Sequence, residues 1–392
     1  MTDSLRAELR RRFRSQAEFA DGYSPLYAGL FAIVAGWLAG EELDPVVEWL
    51  LDAAAGREPF DVTLLLAAAL HREVLAGGAG DLAHYFPTAG SSLDGRDRAF
   101  GVTLPLALRE TILSRGDSLA EFIRVANVQT NETGRGLVWL LPVACLGWEA
   151  AHLVELGASA GLNLVADRRS YRVADAADPS QTLLQLGDSP PQFNVLARGT
   201  GEIPPLACCP TILSRTGGDM MPFHLRSADD ELTLASYVWG DQMARMARLR
   251  EGIAALRSVE ASPAPVRLAQ LTLPDGLPAF LNEDLPQPLA APVVIFNTAV
   301  TYYLPHRGAM LRPALAEWAD RQSVPVLWLQ WEPWWDGPPP PEKEWLAWTA
   351  ELWPNDGRSA SRRLHLAWVH PHGAAFEWAG DWPEFLRITM QS

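Results

Sequence analysis

The hydrophobic pattern divides the chain into a helical N-terminal part and a C-terminal part in which strands and helices alternate. Up to about residue 135, apolar positions recur at helical spacing, and clusters rich in Gly and Pro separate the segments. The predicted helices are a first one that carries Leu5, Phe13 and Phe19, followed by residues 27–38, 46–54 and 62–75. No stretch here has a convincing strand pattern. The pattern therefore predicts a helical cap domain over residues 1–135.

From residue 136 onward, short apolar runs that end in polar residues predict buried strands of a mainly parallel sheet. These runs end at Glu155 and cover residues 211–219, 266–273, 292–298 and 324–332. Two further strands, 364–369 and 375–378, predict an antiparallel C-terminal hairpin. Helices are predicted at 137–146, 162–167, 243–256, 310–321 and near 342–352, with a small β insertion near 170–207. Residues 136–392 are therefore predicted to form an α/β, Rossmann-like domain.

The stretch that organises this second domain is residues 155–161. An apolar run leads up to Glu155, very small residues follow, and an apolar segment compatible with a helix comes next. Gly157 and Gly161 lack a Cβ atom, so the turn can be sharp and a ligand can lie against its backbone. The N–H groups of a following helix would point to the same place. The alternative is a tight strand-to-helix turn without a ligand.

The spacing of the small residues discriminates between ligands. A G-x-G-x-x-G dinucleotide fingerprint fails at Ser159 and Leu162, and a phosphate-binding P-loop pattern fails as well. An acid-x-G-x-(G/S)-x-G pattern is filled by Glu155, Gly157, Ser159 and Gly161. It resembles the first motif of class I methyltransferases that use S-adenosyl-L-methionine, with Ser159 in the position of a usual glycine. The resemblance implies that cofactor and a class I methyltransferase-like sheet.

Polar residues follow several of the predicted strands. Asp219, Asn297 and Glu332 each end an apolar run, and the carboxyl ends of parallel strands share one edge of a sheet. An acid at the end of the second strand can hold ribose hydroxyls, whereas the alternatives are a plain turn aspartate and a satisfied Asn at a loop end. The predicted cofactor contacts are Gln129, Asn131, Arg135, Glu155, Gly157, Ala158, Ser159, Gly161, Asn163, Asp219 and Asn297.

A second polar group precedes the predicted helix at 137–146. Residues 129–135 place Gln, Asn, Glu and Arg in one short segment, which could face the cofactor or the acceptor, or could cap the helix. Methyl transfer requires no dedicated nucleophile, but a base or an orienting group can assist it. The candidates for that role are Glu132, Asp241, Tyr302, Glu332 and His370.

Composition and charge narrow the classes of partner. The net charge of −15, from 32 basic and 47 acidic side chains, argues against a broad nucleic-acid-binding surface, so a small-molecule substrate is expected. Three cysteines fit a reducing compartment. The apolar run at 26–39 is too short for a spanning helix, which predicts a cytoplasmic protein without a membrane segment. His370 and His372 lack a third ligand nearby, so no metal is expected.

Several segments together resemble a bacterial family, domain of unknown function 2332. They are spread over nearly the whole chain: residues 14–17, Gln129 to Glu132 with Arg135, residues 155–164, Trp239 with Asp241 and Gln242, and residues 370–373. The family name implies no activity, so a methyltransferase function rests on the first motif and on analogy of fold.

Two alternatives to a methyltransferase remain. The chain could be a non-catalytic protein that binds an adenosyl ligand. It could also be a serine hydrolase, because residues 157–161 satisfy the G-x-S-x-G nucleophile elbow around Ser159. Glu332 followed by His370 or His372 would complete the order of a catalytic triad. Against the hydrolase, Glu155 lies in a strand that is usually apolar, and no HGGG-type oxyanion loop precedes it.

Overall fold

A computed structural model of the protein describes residues 2–40, 44–91, 98–129, 132–190, 193–199, 206, 209–357 and 360–389. The chain forms two compact units. The helical unit comprises Met1–Asn131 and Leu225–Ala247, and the α/β unit comprises Glu132–His224 and Arg248–Ser392. The segment Leu225–Ala247 thus belongs with the N-terminal helices, although the sequence analysis assigned it to the α/β domain.

The described elements are eleven α-helices and eleven strands. The helices are α1 (Thr2–Ala20), α2 (Pro25–Ala39), α3 (Pro45–Ala53), α4 (Pro59–Leu75), α5 (Arg98–Val125), α6 (Leu137–Ala144), α7 (Ala228–Ser236), α8 (Met243–Glu260), α9 (Leu277–Glu283), α10 (Leu311–Ala319) and α11 (Trp382–Thr389). The strands are β1 (Ala150–Leu156), β2 (Tyr171–Asp175), β3 (Thr182–Leu186), β4 (Phe193–Arg198), β5 (Thr211–Asp219), β6 (Val266–Gln270), β7 (Val293–Thr298), β8 (Val326–Glu332), β9 (Leu346–Trp353), β10 (Arg362–Val369) and β11 (Ala375–Trp378).

The helical unit confirms the four helices predicted from the apolar spacing, and it adds α5. Proline at the first helical position starts α2 and α3, and the side chains of Ser24 and Asp44 cap them. One continuous core joins these helices. In it, Trp239 stacks on Tyr27 with ring centroids 4.8 Å apart, which anchors the segment after α7 to α2.

His71 of α4 makes the helical unit sensitive to acid. Its ring is fully buried between the Thr88 hydroxyl, 2.7 Å from Nε2, and the Ser236 carbonyl, 3.2 Å from Nδ1. Burial lowers the pKa of His71 from 6.5 to about 4. Between those two values the unfolded state binds more protons than the folded state, so acid favours unfolding.

We expect the free energy of unfolding to fall by about 3 kcal/mol on account of His71 as the pH drops from 7 to 4. Urea titrations at several pH values check this, with His71→Gln as the comparison. The difference between the two proteins should vary across this range and level off below pH 4. A difference that does not change with pH contradicts the assignment.

The α/β unit is built on a single sheet of eleven strands in the order β3-β2-β4-β11-β10-β9-β8-β7-β1-β5-β6. The five strands β6, β5, β1, β7 and β8 are parallel to their neighbours, whereas β8 to β11 pair in antiparallel fashion. Strands β1, β7 and β8 contribute side chains to two apolar cores, one with α6 and the other with α9 and α10. Apolar runs without alternation follow from this burial on both faces.

The topology brings the ends of several strands to one edge of the sheet. Strand β9 is antiparallel to β8, and β10 is antiparallel to β9, so β10 runs in the same direction as β8. The residues that follow β10 therefore lie at the edge where β1, β5, β7 and β8 end. We call this the carboxyl edge.

The predicted helix at 162–167 is wrong. These residues form successive turns and a single 3-10 turn at Ala166–Arg168. Their carbonyl groups are taken by side chains, because the Trp139 indole donates to the Asn163 carbonyl at 2.8 Å and the Arg215 guanidinium donates to that of Leu164. The helix N-terminus that was expected to face a ligand here is therefore absent from this described segment.

Two further expectations are corrected. The segment near 342–352 was predicted to be a helix, but it holds β9, whose eight residues are all buried. A strand buried on both faces has no period-two pattern, and this one was mistaken for a helix. The β insertion near 170–207 does contain strands, but β2, β3 and β4 extend the main sheet beyond β11.

Candidate functional site

The candidate site lies at the topological switch point of the sheet. There the strands that follow β1 in the chain are added first on one side of β1, as β5 and β6, and then on the other side, as β7 and β8. Strand β1 lies between β5 and β7, and ligands of open α/β sheets bind outside the carboxyl ends of strands at such a point. The loops after β1 and β7 each contain a non-glycine residue in the left-handed region, Ser159 with φ 48° and Ala299 with φ 57°. Such strain often accompanies functional loops.

Glu155 lies at the end of β1 with 2% of its surface exposed. Its Oε1 accepts a hydrogen bond from Asn163 Nδ2 at 3.3 Å, whereas Oε2 and Asn163 Oδ1 are buried without a hydrogen-bond partner among the described residues. Burial raises the pKa of Glu155 well above its usual value, and the charge of Asp219 adds to the rise. When Glu155 is ionised, both unpartnered atoms are acceptors, so a group that completes the site would then have to be a donor.

Asp219 ends β5 and connects the neighbouring loops. Its Oδ2 accepts from the Ser159 backbone N–H at 2.8 Å, and its Oδ1 accepts from the Met221 N–H at 2.9 Å. Each carboxylate oxygen has a second lone pair that these bonds leave available. The carboxyl ends of β1 and β5 therefore present two acids, which favours a cationic or donor-rich ligand over a phosphate.

The motif glycines allow the loop to pack closely. A Cβ atom on Gly157, which has φ +77°, would lie 2.4 Å from Val300 Cγ2, and one on Gly161 would lie 2.9 Å from Val266 Cγ1. The adjacent Ala158 is 5% exposed. Side chains of the protein thus fill the space in front of both glycines, where the sequence analysis expected a ligand. A ligand has to reach this loop from its solvent side, where Gly157 is exposed.

Asn297 and Glu332 hold each other at the ends of β7 and β8. Glu332 Oε1 accepts from Asn297 Nδ2 at 2.6 Å and from the Val300 N–H at 2.8 Å. Its Oε2 accepts from the Thr301 N–H at 3.0 Å and from the Thr301 hydroxyl at 2.7 Å. Asn297 Oδ1 in turn accepts from the Trp328 indole at 2.7 Å. These contacts assign both residues a role in fixing the loop after β7.

A polar cluster lies where the turn after β10 meets the segment before α6. The Arg135 Nε donates to the Pro371 carbonyl at 2.9 Å. His372 Nδ1 is 3.2 Å from Glu132 Oε2, and Arg248 lies 3.8 Å from the other oxygen of that carboxylate. The side chain of Glu132 is only 2% exposed. The polar segment and the His-Pro-His-Gly turn, far apart in sequence, therefore form one cluster.

His370 differs from its neighbour in its contacts. Its Nδ1 accepts the backbone N–H of His372 at 3.2 Å, which stabilises the turn. Burial lowers the pKa of His370, and the nearby His372 lowers it further. His370 is one of the five predicted catalytic candidates, but the histidine of this turn that lies next to a carboxylate is His372. A pair of histidines around one proline gives no signal that separates the two.

The remaining predicted residues fall in different surroundings. Tyr302 is 52% exposed and meets Trp335 edge to face at 5.6 Å. Asp241 lies in the helical unit, where its carboxylate accepts from the Ser24 hydroxyl at 2.7 Å and from the Leu26 N–H at 3.3 Å, so it supports the start of α2. Gln129 is a half-buried residue of the helical unit, and Asn131 lies outside the described residues.

Within the described part of the chain, no three His, Cys, Asp or Glu side chains lie together so that they could hold a metal ion. No helix of the described residues is both long enough and apolar enough to cross a bilayer.

The chain belongs to a bacterial family, domain of unknown function 2332, whose members are described as uncharacterized proteins conserved in bacteria. The family model matches residues 10–378. No curated protein and no solved structure matches the chain.

Proposed function

We propose that the protein is a methyltransferase that binds S-adenosyl-L-methionine at the carboxyl edge and methylates a small molecule. The observation that carries this proposal is the buried carboxylate of Glu155, whose Oε2, like the neighbouring Asn163 Oδ1, has no hydrogen-bond partner within the described part of the chain. A ligand with hydroxyl or ammonium donors would satisfy both atoms. Leaving buried polar atoms unsatisfied costs about 1–3 kcal/mol each, so a donor ligand gains affinity here.

Charge supports this ligand over the nucleotides that other α/β sheets bind. S-adenosyl-L-methionine carries a sulfonium, an ammonium and a ribose diol, which together offer positive charge and donors. Glu155 and Asp219 supply acceptors at the ends of neighbouring strands. A diphosphate would be repelled by the same two acids, and the segment after the loop offers no helix N-terminus to a phosphate.

The strand order supports the proposal as well. Numbered in chain order among themselves, the parallel strands β6-β5-β1-β7-β8 follow the order 3-2-1-4-5, which is shared by the common dinucleotide-binding sheets. Glu155 and Asn163 belong to the loop after the first of these strands, and Asp219 ends the second. On this proposal, these acids would contact the ribose and the amino acid part of the adenosyl ligand.

The chemistry asks little of the protein beyond positioning. The sulfonium supplies an activated methyl group for in-line displacement. The Glu155 and Asp219 carboxylates would orient the methyl donor. The hydrogen bonds that Glu332 accepts would hold the loop after β7 in place. Positioning two reactants in this way can supply about 7–11 kcal/mol of the barrier.

The hydrolase alternative finds less support. Its triad would need Glu332 to orient a histidine, yet all four hydrogen bonds to that carboxylate come from Asn297, Val300 and Thr301. A nucleophile elbow also leads directly into a helix, whereas turns follow Ser159 here. A non-catalytic protein that binds an adenosyl ligand would use the same acids. It would differ from a methyltransferase only in the absence of turnover.

Photo-crosslinking tests the proposed ligand site. The full-length protein is irradiated with methyl-tritiated S-adenosyl-L-methionine, digested and mapped by mass spectrometry. We expect the label in the peptide that contains residues 155–163, and we expect excess S-adenosylhomocysteine to abolish it. A fluorophosphonate probe should leave Ser159 unmodified. Labelling of Ser159 by that probe, without crosslinking, would instead support the hydrolase.

A further inference from the structure

We infer that the methyl acceptor is a small aromatic carboxylate, and that Arg307 and Tyr302, both held by Trp335, bind it beside the methyl donor. This inference rests on the proposed function and deepens it by naming the class of acceptor. Tyr302 was a candidate from the sequence, whereas no sequence pattern pointed to Arg307 or Trp335.

An aromatic and cationic surface lies on the loops after β7 and β8. The Arg307 guanidinium lies over the Trp335 ring, 4.5 Å from its centroid, and the Tyr302 ring meets Trp335 edge to face. All three side chains are exposed, as are the large apolar side chains of Tyr303 and Met310 in the same loop. Exposed apolar surface of this kind often marks a ligand-binding groove. We call Tyr302, Arg307 and Trp335 the aromatic platform.

The aromatic platform is fixed to the carboxyl edge. The Trp335 indole donates to the Thr301 hydroxyl at 3.3 Å, and that hydroxyl donates to the buried Glu332 at 2.7 Å. His306 and Arg307 both have left-handed backbone conformations, with φ of 50° and 57°. Two consecutive non-glycine residues in this region cost energy, and such strain often occurs where a loop presents a side chain for function.

The aromatic platform lies next to the proposed donor site. Val300, two residues before Tyr302, packs against Gly157 in the loop after β1. Burial raises the pKa of Tyr302 and also that of Glu155, and the charge of Arg135 opposes both rises. Tyr302 and Glu155 are therefore both within electrostatic reach of one guanidinium. A ligand on the platform would lie beside a donor that Glu155 holds.

The side chains of the aromatic platform suit an anion with a planar apolar part. The guanidinium of Arg307 has a planar fork of N–H donors that matches a carboxylate. Burial raises the pKa of Tyr302, so its hydroxyl stays protonated and can donate as well. The Tyr302 ring can pack against an aromatic ring, which prefers edge-to-face or offset contact. Two donors and an aromatic surface together select an aromatic carboxylate.

The proposed donor site and the aromatic platform differ in charge. Glu155 and Asp219 supply negative charge to the first, whereas Arg307 supplies positive charge to the second. Of the acids whose charge acts on Tyr302, Glu332 is bonded to the loop after β7, and Glu344 lies 4.0 Å from Lys343. A cationic methyl donor and an anionic acceptor are therefore directed to different places, which prevents either from occupying the wrong site.

The carboxylate that pairs with Arg307 is a weakened nucleophile, so a hydroxyl or amino group on the same ring accepts the methyl group. A lone pair on that oxygen or nitrogen forms a bond to the methyl carbon. The bond from that carbon to sulfur breaks, and its electrons move to sulfur. The products are the methylated acceptor and neutral S-adenosylhomocysteine, and the acceptor proton passes to solvent.

Saturation-transfer NMR with matched compounds tests the anion preference without knowledge of the natural acceptor. The full-length protein is titrated with 4-hydroxybenzoate and 4-hydroxybenzamide, and with 4-aminobenzoate and 4-aminobenzamide, both with and without S-adenosylhomocysteine. We expect each carboxylate to bind about tenfold more tightly than its amide, or better, because charge-assisted hydrogen bonds are the stronger ones. Equal affinity of the carboxylates and the amides overturns the inference.

Arg307→Gly separates loss of the guanidinium from loss of the fold. Glycine adopts a φ of 57° without steric cost, so the midpoint of urea unfolding should stay the same or rise. Affinity for the carboxylates should fall to that for the amides. Trp335→Ala should lower it too, although it removes no charge. Arg321→Gln, which removes a solvated charge paired with Glu317, is the control and should change nothing.

A variant Arg307→Gly that binds the carboxylates as tightly as the wild type overturns the inference. Its affinity for S-adenosylhomocysteine should change less than about twofold, because Arg307 does not touch the donor. Wild-type protein that binds the carboxylates but not S-adenosylhomocysteine contradicts the proposed function and leaves the anion site standing.

A transfer assay tests the class of the acceptor itself. The small molecules of a bacterial extract are separated on an anion exchanger and incubated with the protein and methyl-tritiated S-adenosyl-L-methionine. We expect the methyl acceptor in the retained, anionic fraction. Arg307→Gly should raise the apparent KM for that fraction about tenfold or more and change kcat far less, because it removes a binding contact. Transfer confined to the unretained fraction overturns the inference.

Discussion

Glu155→Gln is expected to weaken binding of S-adenosylhomocysteine by about 30- to 150-fold while making the folded protein more stable at pH 7. The loss follows from removing a charged acceptor, since hydrogen bonds to charged groups contribute about 2–3 kcal/mol. The gain follows from replacing a buried carboxylate that has one protein partner by a neutral amide, which should raise the free energy of unfolding by about 1–3 kcal/mol. Function and stability then move in opposite directions.

The gain in the free energy of unfolding from Glu155→Gln should depend on pH. The pKa of Glu155 is raised in the folded state, so the folded state binds more protons than the unfolded state above pH 4.5. The carboxyl group therefore destabilises the fold increasingly as the pH rises above that value. Urea titrations from pH 4 to 8 should show that the advantage of Glu155→Gln grows with pH.

A matched control is available next to the same strand. Glu149 is exposed just before β1, and Glu149→Gln changes the same chemical group without burial. We expect it to leave both the affinity and the free energy of unfolding nearly unchanged. A Glu155→Gln protein that binds S-adenosylhomocysteine as tightly as the wild type would remove Glu155 from the site.

Glu332→Ala is expected to destabilise the α/β unit by about 4 kcal/mol or more, which is large for a single substitution. The change leaves four donors of Asn297, Val300 and Thr301 without their acceptor, and all three residues lie in or after β7. Each buried group left unsatisfied costs about 1–3 kcal/mol. Glu332→Gln retains one acceptor oxygen and should lose roughly half as much.

Denaturant unfolding followed by tryptophan fluorescence measures this loss. Glu317→Ala on the exposed face of α10 is the control, because its ion pair with Arg321 is solvated and contributes less than about 1 kcal/mol. If Glu332→Ala unfolds at the same urea concentration as the wild type, the hydrogen bonds to Glu332 contribute nothing to stability. Glu332 would then again be a candidate for a catalytic role.

Most strands of the sheet could be predicted because strands buried on both faces appear in the sequence as uninterrupted apolar runs. Strand β5 was predicted at its observed bounds and β7 and β8 within two residues, since apolar runs that end in polar residues mark parallel strands. The antiparallel pair β10 and β11 was predicted within two residues as a hairpin. The segment at 162–167 could not be predicted in the same way. Its carbonyl groups are satisfied by Trp139 and Arg215, which are distant in sequence.

The candidate site could be predicted only as far as strand ends define an edge. Glu155, Asn163 and Asp219 meet there because consecutive strands bring them together. The hydrogen-bond partners of these side chains could not be predicted. The residues next to a carboxylate in sequence do not show whether its oxygens find donors elsewhere in the fold. Glu155 and Glu332 look alike in sequence, because each lies at the end of an apolar strand. Their hydrogen bonds alone distinguish Glu155, the proposed ligand contact, from Glu332, whose carboxylate is fully bonded to the loop after β7.

Isothermal titration of the wild-type protein with S-adenosylhomocysteine tests the central claim most directly. The unpartnered acceptors at the end of β1 predict saturable heat that corresponds to one site, and they predict none with ATP under the same conditions. A folded protein that gives no heat with S-adenosylhomocysteine, or that binds ATP in preference, would contradict the assignment of the carboxyl edge to an adenosyl donor.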